Sequence, residues 1–332
     1  MLTDYYEFDF SDVKNVDLTD KKIAVQLPPG LKNHWKELKN LINRNVNAQL
    51  YFYNSDCYGA CDVIPLSDVD AILQIGHERM GNVRYPQPVY FIKLYLKEKD
   101  FLKFDRIINE LKNDGIKKIG LVYTVTYEKF FSKVYKRLID NGIEVIVDSG
   151  DLRVNKKTAL VLGCNFSAIN NIIDCIDGIL FVGDGIFHPL PLIFKTDKPV
   201  YSYDPVSGNY ANLQDEKKEN IKKRYIMIKR GFSVKEWGIV VSIKAGQNRL
   251  WLAKSLKKMA EKKGVNADLL LVNYLNPDDF KWIKFDGFVS TACSRVAIDD
   301  AEKYTLPILT PQEFMIVLGF RNIKDYRFDE MW

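Results

Sequence analysis

One phrase occurs three times in this chain: Asp70-Ala-Ile-Leu-Gln-Ile-Gly, Asp177-Gly-Ile-Leu-Phe-Val-Gly and Asp286-Gly-Phe-Val-Ser-Thr-Ala, starting 107 and then 109 residues apart. Each is a short apolar run opened by an acid, the pattern of a buried strand. Each is preceded by an earlier strand: Lys22-Ile-Ala-Val-Gln-Leu, Lys118-Ile-Gly-Leu-Val-Tyr and Gly238-Ile-Val-Val-Ser-Ile. Solenoid repeats recur every 20–50 residues or so, so a period this long marks a domain-sized piece used three times. The chain divides accordingly near residues 100 and 214, into domains 1–100, 101–214 and 215–332.

Strand and helix patterns alternate within each domain. The first offers strands at Ile23–Leu27, Ala48–Tyr53, Ile72–Ile75 and Val89–Leu94, with a helix at Trp35–Ile42. The second offers Ile119–Val125, Ile143–Val147, Ala159–Leu162, Ile179–Val182 and Val200–Tyr203. Its helix Lys129–Leu138 carries Phe130, Val134 and Leu138 on one face. The third offers Ile239–Ile243, Leu269–Val272, Phe288–Ser290 and Ile308–Leu309, with a helix from Gln247 to Lys263. Alternation of this kind predicts an α/β fold: three related domains, each a mainly parallel sheet flanked by helices. Asp215–Lys223 reads as a solvated helix, and the aromatic, charged tail from Asn322 to Trp332 is a candidate to dock on a neighbouring surface.

Bulk properties narrow the function. With 332 residues and 47% apolar content there is enough chain for several cores. The net charge of +5 is spread along the chain, which argues against nucleic acid or a membrane as the main partner. No run reaches the roughly 18 apolar residues of a membrane span. The acidic start lacks the features of a signal peptide, so a cytoplasmic protein is expected. Five scattered cysteines, an odd number, do not suit a disulfide framework; a reducing compartment with a metal or catalytic role for some thiols fits better.

Three of those thiols share a position. Cys61 lies in Asp56-Cys-Tyr-Gly-Ala-Cys-Asp62, beyond the strand that ends near Tyr53. Cys164 follows Ala159–Leu162 directly, and Cys293 follows Phe288–Ser290. The carboxyl ends of strands are where α/β sheets hold ligands. For any one of them a small buried hydrophobe is the ordinary alternative, but one strand-end thiol per domain suggests a shared ligand role. Cys175 reads as core, in the apolar helical stretch Ile172–Ile176, and Cys57 as a spare. Three converging thiolates suit soft metals, either zinc or an iron–sulfur cluster. Zinc needs a fourth ligand, for which His77 or His188 is available, whereas a cluster on three thiolates keeps an iron open for substrate. Spacing does not choose between them. There is no G-x-x-x-x-G-K-[ST] loop, no strand-linked G-x-G-x-x-G and no G-x-S-x-G, which leaves nucleotide-fold and serine-hydrolase chemistry unsupported.

At these residues the chain resembles a family, the archaeal diphthamide-synthesis enzymes, which are non-standard radical S-adenosylmethionine proteins. The resemblance is carried by Tyr58-Gly-Ala-Cys61, Leu162-Gly-Cys164, Ser242-Ile-Lys-Ala-Gly-Gln247, Thr291-Ala-Cys293 and Ala297-Ile-Asp-Asp300. Gly183-Asp-Gly185, Phe187-His188 and Tyr203-Asp-Pro205 are similar as well. Two positions depart: Ser294 stands where proline is usual, and Glu78 where serine is. The resemblance implies three related domains around a central site, with Cys61, Cys164 and Cys293 as ligands of one 4Fe–4S cluster. It implies transfer of a 3-amino-3-carboxypropyl group from S-adenosylmethionine to imidazole C2 of a histidine in translation elongation factor 2. Its further implications are an electron donor and a homodimer. Gln247 and Arg295 are candidates to hold S-adenosylmethionine. Gln247 is otherwise an ordinary polar first-turn residue, and Arg295 otherwise a bridge to Asp299 or Asp300. A zinc-stabilised binding scaffold and a metal-independent transferase are the other two classes to separate.

Overall fold

The structure is a computed structural model that describes residues 1–97, 102–154 and 156–331. It contains three sheets, and the thrice-repeated acid explains why they resemble one another. In the first sheet, Asp70 precedes β4 (Ala71–Ile75) and its carboxylate accepts the backbone N–H of Lys22, 2.7 Å away, at the start of β2 (Lys22–Gln26). Asp177 precedes β8 (Gly178–Val182) and accepts from Lys117 (2.9 Å) and Lys118 (2.8 Å), the latter opening β6 (Lys118–Tyr123). Asp286 precedes β13 (Gly287–Ser290) and accepts from Lys235 and Glu236 at 3.3 and 3.1 Å, ahead of β11 (Glu236–Ser242). Each acid also donates its own N–H to the neighbouring strand's first carbonyl. A side chain that supplies the first rung fixes the register of two parallel strands that no hairpin joins.

The remaining strands are β1 (Tyr6–Asp9), β3 (Gln49–Tyr53), β5 (Val89–Leu96), β7 (Glu144–Ile146), β9 (Val200–Tyr203), β10 (Tyr210–Asn212), β12 (Asn266–Val272) and β14 (Ile308–Leu309). The sheet orders are β1-β5-β4-β2-β3, β10-β9-β8-β6-β7 and β12-β11-β13-β14. All three share one parallel four-strand pattern, in which the first strand lies between the second and the third. The α/β class with mainly parallel sheets is thus as the sequence indicates. Two edge strands go beyond it: β1, antiparallel to β5 with Tyr6 opposite Leu96, and β10.

By contact the chain forms two compact units. The first holds Met1–Val161, Ser167–Ile186 and Val200–Ala211, and with them the first two sheets. The second holds Leu162–Phe166, Phe187–Pro199 and the chain from Asn212 onward, and with it the third sheet. The boundary placed near residue 100 falls on residues 98–101, outside those described. In the first unit, Ile23, Val25, Leu73 and Ile92 form one core and Leu121, Phe130, Val134, Leu138 and Leu180 another. In the second, Trp237, Val289, Leu256 and Phe314 are fully buried together.

Four local expectations differ from the structure. Ala159–Leu162 is not a strand: Ala159 has φ 63°, which interrupts an extended run, and only Leu160 makes a bridge, to Tyr123. The helix expected from Gln247 begins at Leu250, because Ala245–Gln247 form a 3-10 turn. Cys175 is exposed, in the 3-10 turn Ile173–Cys175, while its neighbours Ile172 and Ile176 are buried. The lysine-rich helix runs longer, Gln214–Gly231, and is not wholly solvated. Its Arg224 is 1% exposed and forks onto Glu313, Nε to Oε1 at 2.7 Å and Nη2 to Oε2 at 2.6 Å. That Glu313 also closes the capping box of the helix Pro311–Val317.

Candidate functional site

In the first unit, Cys61 occupies the 3-10 turn Ala60–Asp62 beyond β3. The loop is tied to itself: Tyr58 N–H donates to Asp62 Oδ2 at 2.9 Å, and Asp62 N–H to the Gly59 carbonyl at 2.9 Å. From outside the loop, Tyr85 Oη donates to the Ala60 carbonyl at 2.8 Å. Burial raises the Tyr85 phenol, and the Cys61 sulfur adds to that rise. Cys61 itself is partly exposed. Cys57 is buried; its thiol donates to Gln74 Oε1 at 3.4 Å, and Gln74 Nε2 donates to His77 Nδ1 at 2.7 Å. Burial takes the His77 imidazole down to about 4, so it is neutral at pH 7. Glu78, the unusual residue beside it, faces Lys157 (3.1 Å) and Lys93 (3.9 Å).

In the second unit, the structure brings Cys164, Cys293 and Arg295 together. Cys164 is 8% exposed, and burial, then the neighbouring Cys293 sulfur, push its thiol up to about 12. The guanidinium groups of Arg249 and Arg295 act the other way, favouring thiolate. Cys293 is the N-cap of the helix Ser294–Asp299, which makes Ser294 its first helical residue. Proline is favoured at that position because it needs no N–H there, and serine accepts it too, so the departure leaves the turn intact.

Arg295 is 5% exposed, and burial lowers its pKa against the pull of Asp299 and the two sulfurs. Its Nη2 reaches both Asp299 oxygens, at 2.9 and 2.7 Å, so the bridge to Asp299 exists. Yet its Nε and Nη1 have no hydrogen-bond partner among the described residues. Buried N–H groups are rarely left without an acceptor, and two on one cation mark a place for an anion. The guanidinium lies 4.3 Å from the Phe187 ring centre, and a Cβ added at Gly163 would overlap that ring. Glycine is therefore required beside Cys164 for the ring to lie under Arg295. His188 stacks edge-on against Phe187, with ring centres 5.1 Å apart.

Gln247 belongs to the same unit and is buried in its turn, its N–H donating to the Lys244 carbonyl at 2.9 Å. Within either unit, no three His, Cys, Asp or Glu side chains among the described residues converge on one ion position. Thiolates of a four-iron cluster each reach a different iron, and so stand farther apart than the ligands of a single ion. Two close thiols beside a cation with free donors suit a soft, anionic group. Sequence reasoning missed Arg249, which forks onto Asp329 (3.1 and 2.5 Å) and donates to the carbonyls of Thr291 and Ala292, the residues before Cys293. Its only signal was proximity to the Ser242–Gln247 motif.

The family model for diphthamide synthesis proteins matches residues 27–328. The 2-(3-amino-3-carboxypropyl)histidine synthase of Pyrococcus horikoshii is 33% identical over 315 residues, covering 94% of this chain and 89% of that one. That of Methanocaldococcus jannaschii is 30% identical, covering 96% and 90%. Subunit 1 of the Saccharomyces cerevisiae synthase is 24% identical, over 94% and 73%. The crystal structure of Dph2 from Pyrococcus horikoshii with a 4Fe–4S cluster superposes with a TM-score of 0.83, covering 93% of this chain and 89% of that chain. The chain belongs to the diphthamide synthesis protein family.

Proposed function

We propose that this protein catalyses the first step of diphthamide synthesis. A 3-amino-3-carboxypropyl group passes from S-adenosylmethionine to imidazole C2 of a histidine in translation elongation factor 2, and methylthioadenosine leaves. Cys61, Cys164 and Cys293 are the proposed ligands of a 4Fe–4S cluster. When bound, that cluster supplies the electron for reductive cleavage of the sulfonium and an open iron for the methionine end. The reading is supported by the relatives' names and by the cluster in the matching structure. The single observation on this chain that carries it is Arg295, a buried cation with two unpartnered N–H groups beside two thiols.

Arg295 suits a carboxylate, because either unpartnered group, Nε or Nη1, can give a carboxylate oxygen a charge-assisted hydrogen bond. The two lie on different edges of the guanidinium and act singly while Nη2 holds Asp299. Its role is to orient the methionine end, with Phe187 fixing the plane of the guanidinium. Gln247 is proposed as a second hydrogen-bonding contact to the same molecule. The three sheets are proposed to mark three related domains divided near residues 100 and 214. The same resemblance supports a cytoplasmic homodimer served by an electron donor.

The test is to incubate anaerobically purified, reduced protein with S-adenosylmethionine and elongation factor 2 from the same source. Methylthioadenosine should form, rather than 5′-deoxyadenosine, and one histidine of the factor should gain the 3-amino-3-carboxypropyl mass. Arg295→Gln should keep the iron, about four per chain, while needing roughly tenfold or more S-adenosylmethionine, as loss of a charge-assisted pair predicts. Stoichiometric zinc with no cleavage would mean a scaffold. Transfer without reductant would mean a metal-independent transferase. Cleavage with the factor untouched would leave the cluster chemistry and remove the substrate.

A further inference from the structure

We propose that the segment Phe328–Met331 is a strap that positions the Cys164 and Cys293 loops of the second unit. On one side, Asp329 is 2% exposed and holds Arg249 by both carboxylate oxygens, at 3.1 and 2.5 Å. The same guanidinium donates from Nε to the Thr291 carbonyl at 2.7 Å and from Nη2 to the Ala292 carbonyl at 3.1 Å. These are the two residues before Cys293, so Asp329 orients the cation that holds the start of that loop.

On the other side, Met331 N–H donates to the Cys164 carbonyl at 2.8 Å, and Asn165 Nδ2 donates to the Met331 carbonyl at 2.8 Å. Phe166 N–H donates to Glu330 Oε1 at 3.0 Å. Phe328 anchors the segment edge-on against Phe166, with ring centres 5.6 Å apart. Asp329, Glu330 and Met331 lie past the residues that the family match covers.

A tail that docks only to cover apolar surface needs Phe328 and little else. Here the segment's own hydrogen bonds join the Cys164 carbonyl, the Asn165 amide, the Phe166 N–H and Arg249, and Arg249 in turn holds the two residues ahead of Cys293. Four consecutive residues therefore set the position of both loops, and with it the separation of the two sulfurs. These residues act through the loops and touch no reacting group; they are positioning residues. The proposal rests on Cys164 and Cys293 being ligands, but the support itself is tested without a metal.

Two variants separate positioning from folding. Asp329→Asn removes the charge facing Arg249. Asp329→Leu combined with Arg249→Met removes the ion pair without leaving a lone buried charge, and such replacements commonly preserve folding. In iron-free protein, iodoacetamide labelling followed by mass spectrometry gives a rate for each cysteine. Cys164 should react roughly tenfold faster in both variants, since it is reached only by local opening. Cys293, already partly exposed, should gain less, and exposed Cys175 should not change. The reconstituted centre of the double variant should show a shifted midpoint potential at an unfolding temperature near that of the parent. Unchanged Cys164 and Cys293 rates in both variants would overturn the strap, whether or not stability fell. Iron uptake by the unaltered protein tests the cluster assignment separately, so the two ideas can fail independently.

Discussion

Gln74 joins the two side chains that the sequence offers as reserve ligands, Cys57 and His77. It accepts from the thiol and donates to the imidazole, so both groups have a partner inside the first unit. The consequence for His77 is thermodynamic. Burial lowers its pKa to about 4 from an ordinary 6.5, so between those values the unfolded chain binds a proton that the folded chain does not. Stability carried by neutral His77 is therefore complete above pH 6.5, falls as pH drops towards 4, and changes no further below that. Part of the residue's surface still meets solvent, which reduces the full shift to a loss on the order of 1–3 kcal/mol. His77→Gln should flatten this dependence. Urea unfolding of both proteins at pH 7, 5.5 and 4 measures it, and parallel losses in the two would show that His77 has no part in acid sensitivity.

Among elements, the repeated acids give an ordering that can be measured. Asp177 holds two N–H groups at 2.8 and 2.9 Å, Asp70 holds one side-chain bond at 2.7 Å, and Asp286 holds two that are longer, 3.1 and 3.3 Å. Replacement by alanine should cost about 1–2 kcal/mol at Asp177 and less at the other two, since all three sites meet water. Chemical unfolding of the three variants decides the order, and equal or negligible losses would reduce the acids to bystanders. These acids also show what a sequence can reveal. Their spacing announced three alike sheets, because each sheet needs the same first rung. The strands beside them were legible because every residue of β4, β8 and β13 is buried and apolar runs report that directly. The Arg224–Glu313 pair was not legible: 89 residues separate the partners, and a lysine-rich helix gives no sign that one cation turns inward. Nor was the Ala159 break, which needs a left-handed residue that alanine rarely supplies. For the thiols, position after a strand picked out Cys293 correctly, whereas Cys164 was picked out behind an expected strand that the structure reduces to one bridge; its sulfur nonetheless lies near that of Cys293. The cation between their loops and the segment supporting them depend on contacts between residues that lie 42 to 166 positions apart, which no local pattern records.

At the scale of the whole molecule, sequence order and packing diverge. Leu162–Phe166 and Phe187–Pro199 come from the middle of the chain yet belong to the unit built on the third sheet. The helix Leu190–Lys195 buries Leu190, Leu192 and Ile193 and packs on the helix Gln214–Gly231, and Phe194 lies against Tyr326 and Phe328. A fragment beginning at residue 215 would lose all of these contacts. Each buried aliphatic side chain contributes about 1.5–3 kcal/mol, so the loss rivals the total stability of an ordinary domain. The fragment 215–332 should therefore bind a hydrophobic dye strongly and melt without a sharp transition, although it keeps the whole third sheet. Adding a synthetic peptide of residues 186–199 should reduce dye binding and raise the apparent melting temperature, because it restores the missing face. A sharp, dye-free transition of the fragment alone would show that the inserted segments are dispensable for packing.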